Sequence, residues 1–146
     1  MRVFLAGASG AIGRRLVPKL VAAGHEVTGT TRSEAKAEGL RAAGARPAVV
    51  DALDSDALAG AVAEAAPEVL IHELTALPAR LDFRAADAFA TTNRLRTEGT
   101  RNLIDAARAA GAHRFVCQSI AFVDATRGAV ERAVREMEAM VLGTGD

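Results

Sequence analysis

The chain has 146 residues, 50% of them apolar and 25% charged, and its 18 basic and 18 acidic side chains cancel to a formal net charge of zero. That length supports one domain with its own core, and the balanced charge gives no electrostatic basis for a nucleic-acid or anionic-membrane partner. A single cysteine excludes a disulfide framework and points to a reducing, cytoplasmic setting, while no apolar stretch nears the roughly 20 residues that span a bilayer.

Short apolar runs alternate with longer helical stretches, the pattern of βαβ units around a parallel sheet. Val3-Phe4-Leu5-Ala6 is continuously apolar, as a strand covered on both faces should be. Three glycines and Arg14-Arg15 follow it, so the start does not read as a signal peptide. A helix is predicted over 11–23, with Ile12, Leu16 and Leu20 on one face and Gly24 as its stop. Pro18 conflicts with that helix and should bend it or leave a bond open. The second strand falls at 26–30. Ser33 then caps a helix ending at Ala43 and Gly44. Pro47 to Val50 form the third strand, and Asp54-Ser55-Asp56 opens a helix to about Ala66. Val69 to His72 form the fourth strand. A loop with Pro78 leads to a long helix over 85–110, whose buried stripe is Leu95, Leu103, Ile104 and Ala107. After Gly111 come a fifth strand at 115–117 and a last helix over 129–142, with Val130, Val134, Met137 and Val141 on one face. The expected fold is α/β: a Rossmann-like, doubly wound parallel sheet of order 3-2-1-4-5 with helices on both faces. Residues 1–146 make one domain.

Gly7, Gly10 and Gly13 stand where the first strand joins the first helix. The first permits a tight turn, the second lets a pyrophosphate approach the backbone, and the third lets the helix pack closely on the sheet. Backbone N–H groups and the positive helix end then face the phosphates. The alternative is a glycine-rich turn without a ligand, but here the motif follows a strand, opens a helix and lies in a βαβ unit.

On these residues the chain resembles the extended and atypical short-chain dehydrogenase/reductases, the NAD-dependent epimerase/dehydratase group. The fingerprint Gly-x-x-Gly-x-x-Gly reads Gly7-Ala8-Ser9-Gly10-Ala11-Ile12-Gly13. Gly24-His25-Glu26-Val27, Val50-Asp51-Ala52-Leu53 and Glu98-Gly99-Thr100-Arg101-Asn102-Leu103 agree with it, and the resemblance reaches Val123. It implies a dinucleotide cofactor, with Asp51 on the adenine amino group. The alternative for Asp51 is a solvated acid capping the turn. The implied cofactor-binding set is Gly7, Ser9, Gly10, Ala11, Ile12, Gly13, Arg32, Ser33, Asp51, Ala52, Leu74 and Thr75. Thr30-Thr31-Arg32-Ser33, at the end of the second strand, carries no acid for a ribose 2′-hydroxyl. Arg32 suits a 2′-phosphate, and Ser33 could add a donor, so NADP is favoured over NAD. The alternative for Arg32 is an exposed surface cation. Glu34 reads as decoration of the next helix's first turn, with a ribose ligand as the alternative.

The resemblance also sets out what is missing. The family's Tyr-x-x-x-Lys pair supplies the acid/base group, yet these 146 residues contain no tyrosine, and Lys19 and Lys36 lie in the first two helices. The family's serine aligns with Ile120, which leaves Ser119, one position early, as the remaining catalytic candidate; the stronger reading is that it satisfies backbone groups at the strand end. Asn93 and Arg96 read as a solvated or interface face of the long helix, with the nicotinamide end as the alternative, and His72 as a strand-end packing residue. His25 and His113 have no partners at ligand spacing, so no metal is expected. Cys117 reads as a buried small hydrophobe. Only Asp124 to Gly128 separate Val123 from the last helix, so the expectation is a cofactor-binding part truncated before the substrate-binding portion. It is a fragment, a chain missing a segment, or a naturally short form. The chain is then catalytically incomplete, its small-molecule substrate is unknown, and a homodimer through the long and last helices is possible by the family's four-helix contact. A non-catalytic NADP(H)-sensing module or a dimeric scaffold is the alternative.

Overall fold

The computed structural model describes residues 1–77, 88–121, 123 and 128–144. Its strands are β1 (Arg2–Ala6), β2 (Glu26–Thr31), β3 (Arg46–Val49), β4 (Val69–His72) and β5 (Arg114–Cys117). They form one all-parallel sheet in the expected order, β3-β2-β1-β4-β5. The helices are α1 (Gly13–Ala22), α2 (Glu34–Ala42), α3 (Ser55–Ala65), α4 (Ala90–Arg94), α5 (Thr100–Ala109) and α6 (Ala129–Leu142), with a π-helical turn at Leu95–Gly99 joining α4 to α5.

Alternation along β1 sorts the core into two layers. Phe4 and Ala6 face Leu58, Val62, Leu70, Leu95 and Leu103. Leu5 faces the other way, into Ala8, Val17, Val27 and Leu40. Helices α3 and α5 therefore cover one face and α1 and α2 the other, which leaves the C-terminal ends of the strands as an open edge. At that edge the chain leaves β1 toward one side and β4 toward the other, the crevice in which such sheets bind ligands.

Several local readings change. The first helix starts at Gly13, so Ile12 lies in the preceding turn and is 45% exposed; Val17 is the buried anchor of the stripe. The helix runs through Pro18, whose missing donor falls on the exposed side. Ser33 precedes α2 but its side chain makes no capping bond, whereas Asp54 caps α3 by accepting the Ala57 N–H at 3.1 Å. The proposed start of the long helix at Ala85, the loop at Pro78 and the connection at Asp124 lie outside the described residues. Among the described residues, no helix is long and apolar enough to cross a membrane.

Candidate functional site: the cleft at the C-terminal edge of the sheet

The glycine turn is built by close approach. Gly7 has φ +93°, a left-handed conformation, and a Cβ there would lie 2.8 Å from the Glu73 carbonyl oxygen. A Cβ on Gly13 would collide with the Gly7 carbonyl and the Ala8 backbone. The Gly7 N–H donates to Thr30 Oγ1 at 2.9 Å, and Ser9 Oγ donates to Thr31 Oγ1 at 3.1 Å. Thr30 and Thr31 thus lash the turn to the end of β2. Sequence reading used these two threonines only to note a missing acid; two hydroxyls closing a strand beside a glycine turn were the available signal. Among the described residues, the N–H groups of Ala11 and Ile12 have no backbone acceptor, so the entrance to α1 carries open donors suited to an anion.

In front of this turn lies a cleft of about 590 Å³. Gly7, Ser9, Gly10, Ala11, Ile12, Arg32, Ser33, Asp51, Ala52, Leu74 and Thr75 all line it. Of the residues expected to bind cofactor, only Gly13 stands behind the wall, where it lets α1 approach β1. Ser119 is not part of this cleft.

One end of the cleft is cationic. Arg32 Nη1 stands 3.7 Å from Asp51 Oδ2, with both side chains largely exposed. Asp51 also accepts the Leu53 N–H on Oδ1 at 3.0 Å, so it shapes its own turn while facing the cleft. Asn102 Nδ2, on α5, donates to the Ala52 carbonyl at 3.0 Å and braces that loop. Lys36 lines the same end. Its distance from the Tyr-x-x-x-Lys position has no bearing on this place. Glu34 turns away and pairs with Arg41 at 3.7 Å.

The other end lies past β4 and β5. His72 is 2% exposed. Its Nδ1 accepts the Leu74 N–H at 3.1 Å, so the proton sits on Nε2, 3.0 Å from Thr100 Oγ1. Burial lowers its pKa to about 4, keeping the ring neutral. Arg96 is only 8% exposed and donates to Asn93 Oδ1 at 3.2 Å, which rules out the solvated face among the expectations for it. The π-helical turn explains the difference, since an extra residue per turn rotates the helix by about 100° relative to a continuous α-helical reading. Ser119 Oγ donates to Glu138 Oε1, on α6, in a short bond, and Glu138 was not singled out from the sequence. Cys117 is half-buried, and burial, with Glu73 and Glu138 nearby, pushes its thiol up to about 12. A second, small cavity of about 30 Å³ is lined by Glu73, Arg96, Gln118 and Ser119 among others. Glu73 and Gln118 line both cavities.

Residues 7–143 match the family described as NAD(P)H-binding. The 3-diazoavenalumate denitrifying reductase of Streptomyces sp is 51% identical over 128 residues, covering 88% of this chain and 40% of the reductase. The UDP-glucose 4-epimerase of Mycolicibacterium smegmatis is 36% identical over 121 residues, covering 80% of this chain and 37% of the epimerase. Among solved structures, the Bordetella bronchiseptica enzyme WbmG in complex with NAD and UDP superposes with a TM-score of 0.76 at 22% identity, over 98% of this chain and 50% of that one. UDP-glucose-4-epimerase from Stenotrophomonas maltophila, with bound NAD and formylated UDP-arabinopyranose, gives 0.81 at 19% identity, over 100% and 50%. The chain thus spans half the length of these two structures and less of the two curated relatives.

Proposed function

Because the chain belongs to the NAD(P)H-binding family, we propose that it is the cofactor-binding part of an epimerase- or dehydratase-like oxidoreductase and that it favours NADP over NAD. The observation that carries this reading is the single cleft that joins the open donors of the glycine turn to a cationic end. In this reading the pyrophosphate meets the N–H groups at the start of α1. The adenosine half lies toward Asp51 and Ala52, and Arg32, Ser33 and Lys36 face the 2′-phosphate. The nicotinamide half extends along Leu74 and Thr75 toward Gln118. When bound, the dinucleotide supplies or accepts a hydride; the chain's own residues seat it and hold water away.

In this reading Ser119 is not the catalytic hydroxyl, since it donates to Glu138. With no tyrosine in these residues, the usual acid/base group is not supplied by them. That favours one second reading, an NADP(H)-responsive binding module. Calorimetric titration with NADP, NADPH, NAD and NADH tests both. Tighter binding of the phosphorylated pair is expected, and failure of all four to bind at millimolar concentration defeats both readings. Binding without turnover, accompanied by altered self-association, selects the sensor. A homodimer through the long helix and α6, in the cytoplasm, completes the reading. Sedimentation should then give twice the chain mass.

A further inference from the structure

Glu73 occupies a place that the cleft's cofactor role leaves unexplained. It is the first residue beyond β4, and its backbone is fixed on several sides. Its N–H donates to the Ala6 carbonyl at 2.9 Å, and the Gly7 backbone packs beside its carbonyl. The next N–H, of Leu74, is held by His72. Its side chain lines both the dinucleotide cleft and the small cavity beyond it. Among the described residues, Glu73 Oε2 is buried without a hydrogen-bond partner. A buried carboxylate oxygen lacking a donor is costly, and the same oxygen is satisfied once it carries a proton and an acceptor arrives beside it.

We propose that Glu73 is a neutral carboxylic acid that donates a proton to a substrate carbonyl oxygen seated in the small cavity. This rests on the dinucleotide reading above. The cavity, about 30 Å³, admits a group the size of one water molecule. Arg96 and Gln118 line it beside the acid, and the Arg96 cation suits oxygen charge as it develops. As the carbonyl carbon accepts hydride from the reduced dinucleotide, the C=O π pair moves to oxygen, and that oxygen takes the Glu73 proton. The products are an alcohol, the oxidised dinucleotide and a Glu73 carboxylate, which is reprotonated from solvent. Burial raises the Glu73 pKa above the ordinary carboxylate range, in the direction a donor near neutral pH requires. The ionisable groups around it are His72 on its own strand, Arg96 on the long helix, Cys117 on β5 and Glu138 on α6. His72 and the Cys117 thiol stay neutral at that pH.

The test compares the wild-type protein with Glu73→Gln, which keeps shape and removes the acid. Fluorescence titration with NADPH should show that both proteins bind it, so that a loss of turnover in the variant is not a loss of cofactor. If the wild type does not bind NADPH, the dinucleotide reading itself fails. Infrared spectra of carbon-13 glutamate-labelled wild type at neutral pH should contain a protonated-carboxyl C=O band that is absent in Glu73→Gln. A panel of aldehydes and ketones supplied with NADPH should include an acceptor whose turnover falls roughly 10²- to 10⁴-fold in the variant. With NADPH binding intact, a wild-type spectrum without that band, equal turnover in the two proteins, or no reduction of any carbonyl compound by the wild type each overturns the proposal. The wild-type spectrum decides even if Glu73→Gln does not fold.

Discussion

Arg32 reaches Asp51 across the mouth of the cleft, Nη1 to Oδ2 at 3.7 Å. The pair is long and exposed, so it contributes little to stability and the guanidinium is available to a better anion. A phosphate offers that anion with bidentate geometry. Replacing Arg32 with Ala is therefore expected to weaken NADPH binding about tenfold while leaving NADH nearly unchanged. Lys36→Ala should give a smaller loss with the same selectivity. Parallel titrations of the two cofactors check both, and equal losses for NADPH and NADH would remove Arg32 from the phosphate site.

Gly7→Ala should lower stability by more than Gly24→Ala, although both positions have positive φ, +93° and +80°. Nothing lies within 4 Å of a Cβ at Gly24, while at Gly7 it meets the Glu73 backbone at 2.8 Å. Conformational strain alone costs about 1 kcal/mol at either site. The collision at Gly7 adds to that cost and displaces the turn. Urea midpoints measure the difference, and dinucleotide binding should be lost only in Gly7→Ala.

Acid should destabilise the fold through His72. Its pKa is lowered from 6.5 to about 4 in the native state, so unfolding between those values takes up a proton. The stability linked to His72 is fully present above pH 6.5 and is lost as the pH falls toward 4, by roughly 3 kcal/mol in all. Urea unfolding at a series of pH values should show this slope in the wild type and a flatter one in His72→Gln. Glu73 titrates in both proteins and cancels in the comparison. Equal slopes would mean that the ring is not held neutral.

Asp54→Ala should cost about 1 kcal/mol, because the cap on the Ala57 N–H is lost. Ser33→Ala should cost only a few tenths, since Ser33 makes no such bond. Thermal unfolding separates the two, and a larger loss at Ser33 would contradict the observed caps.

The sheet order and the glycine turn were legible because their signals are local. Val3 to Ala6 form a run that only a doubly covered strand tolerates, and Gly7 and Gly13 follow at the spacing that close packing demands. The cationic end was half legible: Arg32 sits beside a strand end that sequence can locate, but Lys36 comes within reach only because α2 folds back over the cleft. Glu138 was not legible, and Arg96 only as an alternative. Helical periodicity assumes a constant turn, and the π-helical segment at Leu95–Gly99 breaks that assumption just where Arg96 is buried. The Ser119–Glu138 contact joins residues 19 apart across two elements, and no spacing rule encodes such a meeting.

Cys117 carries a practical corollary. Burial and the nearby Glu138 push its thiol up, so little of it is thiolate at neutral pH, and the thiolate is the reactive species. Maleimides and iodoacetamides should therefore pass over the native protein. A cysteine introduced at an exposed position, such as Arg32→Cys at the cationic end or Leu142→Cys on the last helix, could then carry a fluorophore without first removing Cys117. Cofactor arrival and subunit pairing would become separately observable in a chain that otherwise lacks tryptophan and tyrosine.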